Sequence, residues 1–248
     1  VGALGPAELV FAALVLVVAY AVRSSAGFGG QVVAVPLLAL VLPLPVMVSA
    51  VVVLTALASF PHWARDWRHI AWRELARLLP FTLVGIFAGL YLLQEVDLQL
   101  LTRAFGAFVI LYACFALATA GRPPRIPRRW LALARVVLSS LAGFAGAAFG
   151  AAAGPLYAIY FGSTRIEKDA FRITITTILT IQAFLRIAGY ARLGFYDQEV
   201  LVLIAAGVPL VLLGSWLGTW VAGRLDERRF NLGVAVLLLV SGTALLLK

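Results

Sequence analysis

The sequence predicts an all-α polytopic membrane protein: two inverted repeats of about five helical segments each, with glycine-broken helical hairpins near the midplane. Three observations carry that prediction. Hydrophobic residues make up 63% of the 248-residue chain and charged residues 12%, with a mean hydropathy of +1.02. A soluble domain needs roughly 25% charged residues to wet its surface. Apolar runs recur at the helical lengths that cross a bilayer, about 17–25 residues for some 30 Å of hydrocarbon. The runs also fall into two sets of five on either side of a basic, proline-rich stretch.

The apolar runs of the first set cover 8–22, 32–42, 46–60, 75–93 and 98–118. "AGRPPRIPRRW" follows (Ala120–Trp130), and the second set covers 131–149, 155–161, 171–190, 199–222 and 230–247. The division is thus a first transmembrane repeat at 1–119, a cytoplasmic linker at 120–130 and a second repeat at 131–248. None of these runs shows the short alternating pattern of a β-barrel strand.

Residue matches support the duplication. Gly27-Phe28-Gly29-Gly30-Gln31 aligns with Gly150-Ala151-Ala152-Ala153-Gly154. Pro80, Gly85 and Gly89 share their spacing with Pro209, Gly214 and Gly218, and Asp97 aligns with Asp226. Loop charge then sets orientation, because arginine-rich loops stay in the cytoplasm. Arg65, Arg68, Arg73 and Arg77 mark one such loop, and Arg122, Arg125, Arg128 and Arg129 mark the linker. "QEVD" (Gln94–Asp97) between them reads as external. In the second half, "ARLGFYDQE" (Ala191–Glu199) reads as external and "GRLDERR" (Gly223–Arg229) as cytoplasmic. Equivalent loops thereby trade sides, which is the pattern of an inverted repeat with a site near the midplane.

The net charge of +9 sits in these loops, so a lipid bilayer is the expected partner and nucleic acid is not. Cys114 is the only cysteine, which excludes an internal disulfide or a thiolate metal cluster. No metal site, catalytic group or cofactor is expected. Ser24, Ser25, Ser59 and His62 are available to a membrane hydrolase, but no nucleophile–base constellation accompanies them. Nothing at the start resembles a cleavable signal peptide.

Neither of the first two runs spans comfortably unless the glycine stretch joins one of them, and the same holds for the second run of the second half. Each pair is therefore expected to break at its glycines inside the protein, since unwound backbone at membrane depth must be buried or line a wet cavity. Glycine permits the turn and a close approach to ligand. A helix opening near Gln31 would aim free N–H groups and its positive dipole end at that cavity, which suits an anion. The alternative is that the glycines serve helix packing alone.

A glycine-rich turn followed by "VVAVPLL" (Val32–Leu38), a second copy in "FGAAAGPLY" (Phe149–Tyr157) and the repeated Pro-x4-Gly-x3-Gly together resemble the sulfite exporter TauE/SafE family of membrane permeases, over nearly the whole chain. The resemblance implies movement of a small anionic sulfur compound, such as sulfite, sulfoacetate or a related sulfonate, across the bacterial inner membrane, usually outward. Departures from the family's Gly-x-Gly-Gly-Gly pattern are Gln31 in the first copy and Ala152 and Ala153 in the second, and Ile159 stands where the first repeat has Pro36.

The candidate substrate-binding residues are Arg23, Gly27, Gly29, Gly30, Gln31, Thr55, Ser59, Gly150, Gly154, Thr176, Thr180, Gln182 and Arg186. Arginine at membrane depth is costly unless it faces a cavity or a partner. Gln182 and Arg186 are four apart and share a helix face. Arg23 and Arg186 could instead reach an interface, and the threonines could bond back to their own helix. His62 reads as interfacial, and Trp63, Trp67 and Trp72 as an aromatic belt. Glu8, Glu74, Asp97 and Glu199 all sit at the ends of runs and no carboxylate lies clearly inside one, which argues against proton antiport. Alternating access driven by membrane potential suits an exporter. An importer or channel for small organic anions shares these features, whereas a non-transporting scaffold would need no paired polar breaks. Gly143, Gly146 and Gly150 suit packing either within the chain or between the protomers of a homodimer.

Overall fold

A backbone in hydrocarbon has no water to bond, so it must satisfy its own N–H and C=O groups, and helix is the local solution. The computed structural model describes residues 5–26, 30–119, 125–151, 153–164, 166–221 and 227–248, and among them every regular element is helical. The first half holds α1 (Pro6–Ala26), α2 (Gly30–Leu38), α3 (Leu44–Asp66), α4 (Trp72–Glu95) and α5 (Leu98–Ala118). The second holds α6 (Leu131–Phe149), α7 (Ala153–Gly162), α8 (Lys168–Arg192), α9 (Gln198–Val221) and α10 (Glu227–Leu247). Six helices contain stretches long and apolar enough to cross a membrane: α1, α4, α5, α6, α8 and α9. Their outward faces carry residues such as Leu14, Phe87, Leu111 and Trp216, each at least 60% exposed, as lipid contact requires.

The first run corrects the sequence reading. It was bounded near residue 22 and expected to span only if the stretch beyond joined it; α1 has 21 residues and carries Arg23, Ser24 and Ser25 within it. At 1.5 Å per residue it covers about 32 Å. The helix can continue through the polar residues because Arg23 finds a partner on α3, described below. The short elements are α2 and α7, of 9 and 10 residues. Gly30 and Gly154 accordingly lie inside helices. Gly150 ends α6 in the left-handed region (φ 71°), a conformation that glycine adopts at little cost. Gly27, Gly29, Ala152 and residues 120–124 of the linker lie outside the described residues, as do the side chains of His62, Trp63 and Arg65.

Small residues set how the long helices cross. Gly85 and Gly89 of α4 face Ser140 and Phe144 of α6, and Gly143 returns the contact onto Thr82. Gly214 and Gly218 of α9 face Val17 and Ala21 of α1 in the same manner. A methyl group at any of these five positions would run into backbone, so only glycine admits the approach. Contact order shows that α4 and α6 run parallel, and that α9 and α1 do too. By contrast, α5 and α10 run antiparallel: Gly106 faces Gly242 and Leu245, while Gly242 faces Val109 and Ile110. The glycines considered for a homodimer are spent within the chain, with Gly146 against Gln182 and Gly150 against Val35 and Val48.

The remaining contacts follow the same exchange of halves. Helices α3 and α8 pack on each other at the centre, α3 also packs on α9, and α8 on α4. The backbone N–H of Ala71, just before α4, donates to Thr174 of α8 (2.9 Å). Its counterpart is the Tyr196 hydroxyl, just before α9, which donates to the Ser49 carbonyl of α3 (3.4 Å). Burial raises the pKa of that hydroxyl above the ordinary phenol range and so keeps it a neutral donor.

One capping prediction follows directly. Asp97 accepts from the Gln99 N–H at 3.0 Å and the Leu100 N–H at 3.4 Å, closing the start of α5. Asp97→Ala is expected to lower unfolding stability by about 1 kcal/mol, the ordinary value of an aspartate cap. Thermal unfolding in detergent measures it, and an unchanged midpoint would mean the cap is redundant.

Candidate functional site

The polar side chains at membrane depth gather at two places, one in each half. In the first half, Arg23 of α1 is 7% exposed, and its Nη2 donates to Ser59 Oγ of α3. Ser59 donates in turn to the Thr55 carbonyl (2.6 Å). One turn earlier on α1, the Tyr20 hydroxyl bonds Thr55 Oγ1 (2.8 Å). Arg23 and Ser24 also line a cavity of about 160 Å³ between α1, α3 and α9, walled by Leu54, Leu57, Val211 and Ser215 among others.

In the second half, Arg186 of α8 is 1% exposed, and its Nη1 donates to the Gly146 carbonyl of α6 (2.6 Å). One turn later, the Tyr190 hydroxyl donates to the Ala147 carbonyl (2.6 Å). One turn earlier, Gln182 is fully buried; its Nε2 donates to the Tyr157 hydroxyl of α7, which shares a 2.7 Å bond with Thr82 of α4. This chain ties the short helix α7 to both long neighbours. Gln182 Oε1 and Arg186 Nε are left buried and without a partner. The Gln31 amide nitrogen, in the first turn of α2, is likewise buried and unpaired.

The two sites have parts in common. Laying Gly27 on Gly150 places Arg23 on Gly146, since both sit four residues ahead of the glycine. In each half one guanidinium bridges the first helix to the third. In the first half the arginine stands on the first helix and faces a small residue, Ser59, on the third. In the second half the small residue, Gly146, is on the first helix and the arginine is on the third. The neighbouring tyrosine moves with its arginine, from α1 (Tyr20) to α8 (Tyr190). No carboxylate among the described side chains lies within salt-bridge distance of either guanidinium; the described ion pair is Arg77–Glu74 in the first turn of α4.

Of the sequence candidates, the structure joins Arg23, Thr55 and Ser59 in one group and brings Gln182 and Arg186 together at Gly146 in the other, whereas Gly150 packs on Val35 and Val48. Gly30 packs against Ala19 and Arg23. Thr176 and Thr180 donate their hydroxyl protons to the carbonyls of Arg172 and Thr176, so toward an anion they present lone pairs only. Sequence reasoning missed Tyr20, Tyr157, Tyr190 and Gly146. Helical spacing could have found two of them, because Tyr20 lies three residues before Arg23 and Tyr190 four after Arg186. The repeat alignment could have found Gly146. Among the described residues, no group of histidine, cysteine, aspartate and glutamate could hold a metal ion.

The comparisons agree with this picture. The chain is 25% identical over 196 residues to the probable inner membrane transporter protein TsaS of Comamonas testosteroni, covering 79% of this chain and 80% of that protein. No solved structure matches at a significant level. The sulfite exporter TauE/SafE family profile matches residues 12–245. This is a family of membrane transporters rather than of enzymes, and it accords with the six long apolar helices and the inner-membrane relative. With the match running almost end to end, the chain belongs to the sulfite exporter TauE/SafE family, as a multi-pass inner-membrane transporter.

Proposed function

We propose that the protein exports a small sulfur oxyanion, such as sulfite, sulfoacetate or a related sulfonate, by alternating access between two inverted repeats, residues 1–119 and 131–248, joined by the linker at 120–130. The observation that carries this reading is the pair of buried guanidiniums, one per half. Each holds the first helix to the third beside the break that opens the short helix. A buried cation without a carboxylate partner is expensive, and a bound anion would offset that cost. Inversion is supported by α5 and α10, the fifth helices of their halves, running antiparallel, and by the exchange of the α4–α6 and α9–α1 contacts.

In this reading Arg186 and Gln182, with the backbone at Gly150 and Gly154, bind the anion from one side. Arg23, Gly30 and Gln31, with Gly27 and Gly29, bind it from the other. Thr55 and Ser59 hold Arg23 in place, and Thr176 and Thr180 shape the wall. An anion leaving a negative-inside cell gains about 2.3 kcal/mol per charge per 100 mV, so export needs no embedded carboxylate.

Purified protein in liposomes preloaded with sulfite, sulfoacetate or 2-hydroxyethanesulfonate should release one of them at a rate that follows an imposed voltage. Arg23→Gln is expected to slow that release about tenfold or more, the value of a charge-assisted hydrogen bond. Flux that ignores voltage and strictly needs a proton gradient would overturn the coupling. Anion binding with no flux would favour a scaffold.

A further inference from the structure

Two buried polar atoms in the second half have no partner, and they differ in sign. Arg186 Nε carries a proton to donate, and Gln182 Oε1 carries lone pairs to accept. Gln182 is 0% and Arg186 1% exposed, so bulk water does not serve them. Both side chains border the bare face of Gly146. A methyl group there would lie 3.2 Å from Gln182 Oε1 and 3.8 Å from Arg186 Nη1. The same point is 3.6 Å from the Cβ of Ala153, the first residue of α7. The Gln182 amide oxygen, the Arg186 guanidinium and the Ala153 side chain at the start of α7 therefore stand around one spot. Unpaired buried donors and acceptors are rare in native proteins, because each forfeits its hydration without recompense.

Two donors would suit any oxyanion. A donor beside an acceptor suits fewer. A fully deprotonated oxyanion such as an alkanesulfonate satisfies Arg186, yet it leaves Gln182 Oε1 facing another oxygen with no hydrogen between them. A ligand that carries an O–H or N–H beside its anionic group satisfies both.

We propose that the Gln182–Arg186 pair makes this a site for donor-bearing oxyanions, those with a hydroxyl, amino or acid proton next to the charged group, and that it narrows the substrates named above to such anions, favouring hydrogensulfite and hydroxyalkanesulfonates over sulfoacetate and fully deprotonated sulfite. Gln182 is the specificity residue: its Nε2 is fixed by Tyr157, and this turns Oε1 toward the ligand. Gly146 has no side chain because a side chain would occupy the space the ligand's donor needs. This inference rests on the anion site proposed above.

The test uses full-length protein in detergent and two probes that differ by one hydroxyl, ethanesulfonate and 2-hydroxyethanesulfonate, with Kd measured by calorimetry. The hydroxylated anion is expected to bind about tenfold or more tightly, the span of one hydrogen bond to an otherwise unpaired buried acceptor. Gln182→Met should bring the two affinities within about twofold. Gly146→Ala, whose methyl fits only at the ligand's expense, should weaken the hydroxylated probe more than the plain one. Equal affinities in the native protein would overturn the selectivity and leave the anion site standing. Binding of neither probe would overturn the site and this inference together.

Discussion

Replacing Arg186 with methionine is expected to cut transport about tenfold to a hundredfold while leaving the folded protein as stable as before, or more so. The two effects part because the guanidinium is a poor structural element. It is 1% exposed, its Nη1 bonds one carbonyl, its Nε has no partner, and no described carboxylate neutralises it. Burying an ion costs several kcal/mol, and replacing such a group by an apolar side chain of similar length is often neutral or stabilising by about 1–4 kcal/mol. An anion that binds there loses a charge-assisted bond of about 1.5–3 kcal/mol, which gives the loss in rate. Flux from proteoliposomes and thermal unfolding of the same preparation read the two effects separately. A drop in stability alongside the lost flux would recast Arg186 as a clamp between α8 and α6. Unchanged flux would remove it from the substrate's path.

The second large effect concerns folding. Gly143→Leu is expected to destabilise the protein by more than about 3 kcal/mol, the upper range for overpacking, and to leave little monodisperse protein after purification. A Cβ at Gly143 would collide with the Thr82 carbonyl, and across the same interface Gly85 already has no room against Ser140. Both obstacles are backbone, so no rotamer change relieves them. Gly233 is the control: nothing lies within 4 Å of its Cβ position, and Gly233→Leu should stay within about 0.5 kcal/mol. Comparable yield and midpoint for the two variants would refute the close α4–α6 crossing.

Much of the fold was legible in the sequence because bilayer physics writes in large letters. Apolar runs and arginine-rich loops marked out ten segments, and among the described residues ten α-helices stand at those places. The end of α1 was misplaced because Arg23, Ser24 and Ser25 read as a boundary. Hydropathy registers their polarity but not the Ser59 hydroxyl waiting 36 residues on. In the candidate site, Arg186 and Gln182 were visible as costly residues at helical spacing. Tyr157 was not, since an aromatic in a membrane helix is ordinary until its hydroxyl is seen between Gln182 and Thr82. Gly146 was read from the sequence only as a packing glycine. That its bare face stands opposite Gln182 and Arg186 shows once both helices are in place.

The exchanged arginines constrain how such a molecule can have diverged. If both halves descend from one ancestral segment, one of them has moved its cation from the first helix to the third, or the reverse. A single replacement cannot make that move. Arginine at Gly146 with Arg186 retained would force two like charges into one dry slot, and losing Arg186 first would leave the slot empty. Any viable route crosses a sequence that is either electrostatically frustrated or without its cation. Positions 23 and 59, and 146 and 186, should therefore change in concert. A designed transplant between halves has to carry both members of the pair, because the heritable unit is the slot and not the residue.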